Sequence, residues 1–172
     1  MAITLVLGGA RSGKSSFAEK LVLQGSGPRA YLATAQARDD EMAARIERHQ
    51  LDRGENWSTC EEPVEISNAI RQAAKSHPVI LIDCLTLWLS NLMEAGHDVE
   101  EATSELIDTL REVSADVVLV ANEVGLGIVP ANALARAFRD EAGRMNMRIA
   151  EVADTVYFVA AGLANKMKDT SA

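Results

Sequence analysis

Short apolar runs punctuate the chain: ITLVLG at 3–8, RAYLATA at 29–35, PVILIDC at 78–84, DVVLVANE at 116–123 and DTVYFVAA at 154–161. Each is nearly continuous in its apolarity rather than alternating, which predicts strands covered on both faces, as in a parallel sheet. Between them lie amphipathic stretches with helical spacing at 14–24, 40–52, 63–76, 85–94, 99–113 and 131–152. Strand and helix in alternation predict a three-layer α/β domain with right-handed crossovers. NWSTCEE at 56–62 reads as a further short strand at an edge. No repeat, low-complexity tract or Pro/Gly-rich linker divides the sequence, so residues 1–172 are expected to form a single domain.

A chain of 172 residues buries roughly 70% of its unfolded surface on folding, enough for a substantial core. Apolar residues make up 48% and charged residues 24%, far from the composition of a disordered chain. The formal net charge of −8 argues against nucleic acid as a partner, because such binding needs clustered Lys and Arg to displace counterions. Any phosphate must therefore be held locally. Cys60 and Cys84 show neither a C-x-x-C spacing nor a cluster of His, so no disulfide framework or zinc site is expected. The sequence begins on a strand-like run without a basic leader, and no window approaches the ~18 uninterrupted apolar residues of a membrane span. The expectation is a cytoplasmic protein with no membrane span.

Directly after the first apolar run comes GGARSGKSS. Gly8, four residues, Gly13, Lys14 and Ser15 fit the phosphate-loop pattern, in the required position between a buried strand and a helix. Glycines let successive N–H groups turn inward on phosphate oxygens, and the following helix adds its N-terminal positive end. Lys14 would reach the β- and γ-phosphates and Ser15 would ligate Mg²⁺. The plain alternative is a glycine-rich turn with a chance lysine. A carboxylate is needed at the end of a strand beside the loop, and VILIDC supplies Asp83. Asp83 could instead cap the helix that follows. The fold class expected is thus α/β, a three-layer P-loop NTPase of the RecA-like kind with a mostly parallel central sheet. The guanine-reading N-K-x-D and the switch D-x-x-G of signalling GTPases do not occur in register, since NKMKD lies beyond the last apolar run and Asp83 is followed by Cys84, Leu85 and Thr86.

In DDEMAARIERHQLDR, Met42, Ile46 and His49 form one helical stripe. A histidine on an apolar stripe is commonly a satisfied core residue. The company of Arg45, Arg48 and Arg53 allows another reading, a neutral imidazole placed to attack phosphorus.

These segments, GGARSGKS, ATAQ with DDEMAARIERH and DRGENW, DCLTLWLSNL, and NEVGLGIVP with ARAFRDEAGRMN, together resemble the bifunctional adenosylcobinamide kinase / adenosylcobinamide-phosphate guanylyltransferase family of cobalamin biosynthesis. The resemblance runs from Ile3 to about Gly162. It implies an enzyme that phosphorylates adenosylcobinamide with ATP or GTP. The enzyme then transfers GMP from GTP onto adenosylcobinamide phosphate, giving adenosylcobinamide-GDP, with the GMP carried on His49. It also implies nucleotide contacts at Gly8, Gly9, Ala10, Arg11, Ser12, Gly13, Lys14 and Ser15. Further contacts follow at Ala33, Thr34 and Ala35, at Gln50, Leu51, Asp52 and Arg53, and at Glu61 and Asp83. Catalysis falls to His49 and Lys14, metal binding to Ser15 and Asp83, and the assembly implied is a homotrimer with active sites between subunits. Two other readings keep the phosphate loop. One is a small-molecule kinase without nucleotidyl transfer; the other is a nucleotide-switched binding module or recombinase-like ATPase.

Overall fold

The computed structural model of the chain describes residues 1–36 and 57–170. The helix expected at 40–52, which carries His49, Gln50, Leu51 and Asp52, and Arg53 just beyond it lie outside the described residues. In chain order the elements are β1 (Ile3–Gly8), α1 (Lys14–Gln24), β2 (Arg29–Ala33), β3 (Trp57–Glu61), α2 (Ile66–Ala73), β4 (Val79–Asp83), α3 (Leu85–Ala95), α4 (Val99–Glu112), β5 (Asp116–Asn122), α5 (Ala133–Val152), β6 (Thr155–Ala160) and β7 (Leu163–Asp169). The strands make one sheet in the order β3-β2-β4-β5-β1-β6-β7. Every neighbouring pair is parallel except β6 with β7.

Unbroken apolarity in the central strands follows from the two layers. Leu5, Ile80, Ile82 and Leu119 face a large core closed by α2 to α5, with Ile66, Trp88, Leu106 and Ile149 among its members. Their strand neighbours Val6, Leu81, Val118 and Val120 face the opposite layer, where Ala18 and Val22 of α1 cover them. Each such large side chain, removed from water, contributes roughly 1.5–3 kcal/mol. The two faces of one strand therefore need apolar residues at consecutive positions. Because the strands run parallel, the C-terminal ends of β1, β2, β3, β4, β5 and β6 gather at one edge of the sheet, where ligands of such folds bind.

The edge strand β3 is found where NWSTCEE places it, and from Ser58 to Glu61 its residues are exposed. Two differences from expectation have clear causes. β2 stops at Ala33 rather than running to Ala35, because Thr34 leaves the ladder and binds the chain after β4. Beyond the last apolar run expected, residues Leu163–Asp169 form a further strand, β7. Its positions are exposed except Lys168, so it lacks the apolar run by which buried strands announce themselves. Its signal was the turn: β6 and β7 pair with Ala160 opposite Leu163, leaving Ala161 and Gly162, both with positive φ (51° and 77°), as a two-residue hairpin loop.

Helix ends are set locally. Asp98 caps α4 by accepting from Glu100 N–H (2.9 Å) and Glu101 N–H (3.0 Å), and Asn132 caps α5 in the same way through Leu134 and Ala135. Gly96, at φ 74°, closes α3. Asp98→Ala is expected to destabilise the protein by about 1 kcal/mol, the usual value of such a cap, read as a lower chemical-denaturation midpoint with an unchanged m-value.

Candidate active site

Gly8 ends β1 and begins the loop that reaches α1 at Lys14. A Cβ on Gly8 would lie 2.4 Å from the Val159 carbonyl oxygen and 2.6 Å from Ser12 Oγ, so no other residue fits where the chain leaves the sheet. Arg11 takes a positive φ of 55° and Gly13 one of 94°, and these left-handed residues curl the loop over its own backbone. Ser12 N–H donates to the Gly9 carbonyl (3.3 Å), and Lys14 Nζ donates to the same carbonyl (3.2 Å). Lys14 is buried at 8% exposure, so its ammonium is held within the loop rather than in solvent. The Ser12 hydroxyl, also buried, has no hydrogen-bond partner among the described residues.

α1 differs from α4 and α5 at its start. Gly13 supplies no side-chain cap and the first turn carries no acidic residue, so the first N–H groups face the loop, as an anion site requires. Ser15 stands in this first turn, partly exposed, beside the buried Lys14.

The second half of the site is a row across three strands. Register sets Ala33 opposite Asp83 on one side and opposite Glu61 on the other, so Glu61, Ala33 and Asp83 stand side by side at the ends of β3, β2 and β4. Alternation places Asp83 on the face of Val79 and Leu81, and Glu61 on the face of Trp57. That is the layer containing α1. The strand carrying Asp83 is not beside β1, however: β5 lies between them. Run lengths and spacing carry no information on strand order, which crossover geometry decides. Asp83 does not cap α3, because the capping position is Cys84 and no side chain caps that helix. It accepts instead from Tyr31 Oη (2.9 Å).

Thr34 locks the row to β4. Its hydroxyl donates to the Cys84 carbonyl (2.7 Å) and accepts from Cys84 N–H (2.9 Å). Asn91, buried on α3, donates to the carbonyls of Thr34 and Pro63, each at 2.9 Å. Burial, then the charge of Asp83, pushes the Cys84 thiol up, against backbone N–H groups and the charge of Lys14. Cys84 stays a protonated thiol and offers no nucleophile.

Of the residues expected to meet nucleotide, the structure brings Gly8 to Ser15 into one loop and aligns Ala33, Glu61 and Asp83 at the same sheet edge, with Thr34 and Ala35 just beyond. Ala10 and Gly9 contribute backbone only. Tyr31, Asn91 and the Ala161–Gly162 turn escaped the sequence reading. Tyr31 was findable, since period two puts it on the face of Ala33, whereas Asn91 shares its apolar helix stretch with the polar Thr86 and Ser90 and so did not stand out.

The family model described as cobinamide kinase / cobinamide phosphate guanyltransferase matches residues 4–167. The chain is 42% identical over 166 residues to the bifunctional adenosylcobalamin biosynthesis protein CobP of Pseudomonas aeruginosa, covering 95% of this chain and 96% of that protein. It is likewise 42% identical over 179 residues to the bifunctional adenosylcobalamin biosynthesis protein CobU of Escherichia coli K12, covering 95% and 98%. Among solved structures it is similar to the RadB recombinase (TM-score 0.54, 15% identity, 91% of this chain and 73% of that chain). It is also similar to a KaiC-like protein from Pyrococcus horikoshii OT3 (TM-score 0.55, 15% identity, 91% and 71%). Those two likenesses establish the RecA-like P-loop fold. The match over nearly the full length of both bifunctional relatives establishes more: this chain belongs to the cobinamide kinase / cobinamide phosphate guanyltransferase family.

Proposed function

We propose that the chain carries out both reactions named by its family: phosphorylation of adenosylcobinamide by ATP or GTP, then transfer of GMP from GTP to adenosylcobinamide phosphate through a guanylylated His49. The observation that carries the reading is the pairing of the Gly8–Ser15 loop with the Glu61–Ala33–Asp83 row on one edge of the sheet, together with the family match.

In the first reaction the substrate hydroxyl attacks the γ-phosphorus, its bond to the bridging oxygen breaks, and a nucleoside diphosphate leaves. Lys14 and the N–H groups entering α1 stabilise the charge spreading over the phosphate oxygens. In the second, the neutral imidazole of His49 attacks the α-phosphorus of GTP, a P–N bond forms, and pyrophosphate departs. An oxygen of adenosylcobinamide phosphate then attacks that phosphorus and releases the imidazole. Ala33, Thr34, Ala35, Glu61 and Asp83, with Gln50 to Arg53, hold the nucleotide for this step.

Mg²⁺ fits the oxygens available. The Ser15 hydroxyl and the Asp83 carboxylate are hard donors. Among the described residues no three His, Cys, Asp or Glu side chains gather as a metal cage, as suits an ion that keeps substrate phosphates and waters as its other ligands. When bound it offsets phosphate charge. Tyr31 fixes one carboxylate oxygen of Asp83 and thereby the direction of the other.

The proposal includes a homotrimer working in the cytoplasm, with nucleotides and cobinamide rather than nucleic acid as its partners. Support for assembly comes from the loop after β5, where Leu126, Ile128 and Val129 are 82%, 97% and 63% exposed, an apolar surface that a second subunit would cover. Among the described residues no helix is long and apolar enough to cross a membrane.

Lys14→Ala should lower both activities by about 100-fold or more, equivalent to about 3 kcal/mol of lost transition-state stabilisation, with the thermal midpoint unchanged. Asp83→Asn keeps the shape and loses the charge, so the Mg²⁺ concentration for half-maximal turnover should rise severalfold; an unchanged metal requirement would remove Asp83 from the metal site. His49→Ala should abolish the acid-labile, alkali-stable label left on the protein by α-labelled GTP while phosphorylation of cobinamide persists. Label retained by that variant would assign the nucleophile elsewhere and return His49 to the role of a core histidine.

A further inference from the structure

We infer that the Ala161–Gly162 turn between β6 and β7 is a strap that holds the phosphate loop in its nucleotide-binding shape, with Gly162 as a positioning residue for nucleotide. The inference rests on the nucleotide reading of the loop and on nothing about cobinamide. Three close approaches join the hairpin to the loop. Gly162 N–H donates to the Ser12 carbonyl at 2.8 Å, a bond between the C-terminal hairpin and the centre of the loop. Gly162 Cα lies 3.2 Å from where a Cβ on Gly13 would stand, so the turn occupies the space behind the residue that starts α1. One pair earlier, the Val159 carbonyl lies 2.4 Å from the Cβ position of Gly8. On the other side of the loop, Glu123 N–H, just past β5, donates to the Gly8 carbonyl at 3.0 Å. Among the described residues the loop is thus gripped at its start by both flanking strands and at its centre by the turn.

The bond to Ser12 fixes which way the following peptides point. With its carbonyl engaged outward by Gly162, the Ser12–Gly13 peptide presents its N–H toward the inside of the loop, beside the N–H groups of α1 that receive phosphate. The turn can make this contact only in its present geometry, because two consecutive residues with positive φ direct the Gly162 N–H away from the hairpin. A Cβ on Gly162 would meet nothing within 4 Å. The constraint there is conformational, not steric, and strain at Gly162 is transmitted to Ser12 rather than to a packed neighbour. This also gives β7 a purpose: an edge strand exposed along almost its whole length buries little, but it completes the hairpin that forms the turn.

The test measures equilibrium binding of GTP and of ADP to the full-length protein, with the thermal midpoint recorded beside it. Gly162→Ala, whose side chain disfavours the left-handed conformation, should weaken both nucleotides by about fivefold or more. Gly162→Asn, a bulkier residue that tolerates that conformation, should recover most of the loss. Asp98→Ala, which removes the cap of α4 and touches neither the loop nor the turn, should leave both affinities at the wild-type value. If Gly162→Ala fails to fold, one glycine inserted after Ala161 carries the same test, since lengthening a turn costs little stability but moves the N–H off Ser12. Nucleotide affinity unchanged in Gly162→Ala or in the insertion, or lowered equally in Asp98→Ala, would overturn the strap. Failure of the wild-type protein to bind either nucleotide would instead overturn the reading of the loop itself.

Discussion

The site depends on one close approach: the end of β1 runs so near to the end of β6 that only a residue without a side chain can stand at position 8. A Cβ there would meet the Val159 carbonyl at 2.4 Å and the Ser12 hydroxyl at 2.6 Å, distances at which carbon cannot remain. Gly8 therefore lets the chain fold back over β6 immediately on leaving the sheet, and that fold-back brings Ser12 to the C-terminal turn and Lys14 to the Gly9 carbonyl. Backbone proximity comes first here and phosphate chemistry follows from it.

From that fixed point the sheet acts as a ruler. Parallel strands are spaced about 4.8 Å apart, and register delivers their C-terminal residues in a row, so Glu61, Ala33 and Asp83 keep set distances from one another whatever their loops do. β5 stands between the loop strand and the Asp83 strand, which places the carboxylate two strand spacings from β1. Thr34 and Asn91 then prevent the row from drifting. The Thr34 hydroxyl both gives to and takes from Cys84, and Asn91 ties the next carbonyl to α3. A threonine with both hydrogen-bonding capacities used, fully buried, costs far more to disturb than an exposed one.

The parts of this arrangement legible in the sequence were those that physics writes locally. Doubly covered strands must be apolar at consecutive positions, so β1, β4 and β5 could be read from Leu5-Val6, Ile80-Leu81-Ile82 and Val118-Leu119-Val120. The loop could be read because glycine is required where it is required. What remained hidden was non-local. The position of β5 between β1 and β4 depends on crossovers that no single segment records, and the contact of Gly162 with Ser12 joins residues far apart in the chain. β7 was hidden for a different reason: it pairs with one neighbour and buries little, so no hydrophobic period was ever imposed on it. Tyr31 sat within reach of inference, but a tyrosine in an apolar strand reads as packing until its hydroxyl is seen on Asp83.

The charge distribution bears on how the loop must work. A chain of net charge −8 offers a nucleotide polyphosphate no long-range attraction, and within the loop only Arg11 and Lys14 are cationic. Lys14 already donates to a carbonyl of the loop itself. Beside these two cations the loop offers groups that carry partial charges and are already in place: its own N–H groups and those of the uncapped start of α1. Partial charges act only at hydrogen-bond range and in the right direction, so their value depends on how firmly the backbone is held. A loop that relied on a cluster of arginines could tolerate some slack. Peptide dipoles are best used by a backbone that is gripped, as this one is at Gly8 by two strands and at Ser12 by a turn.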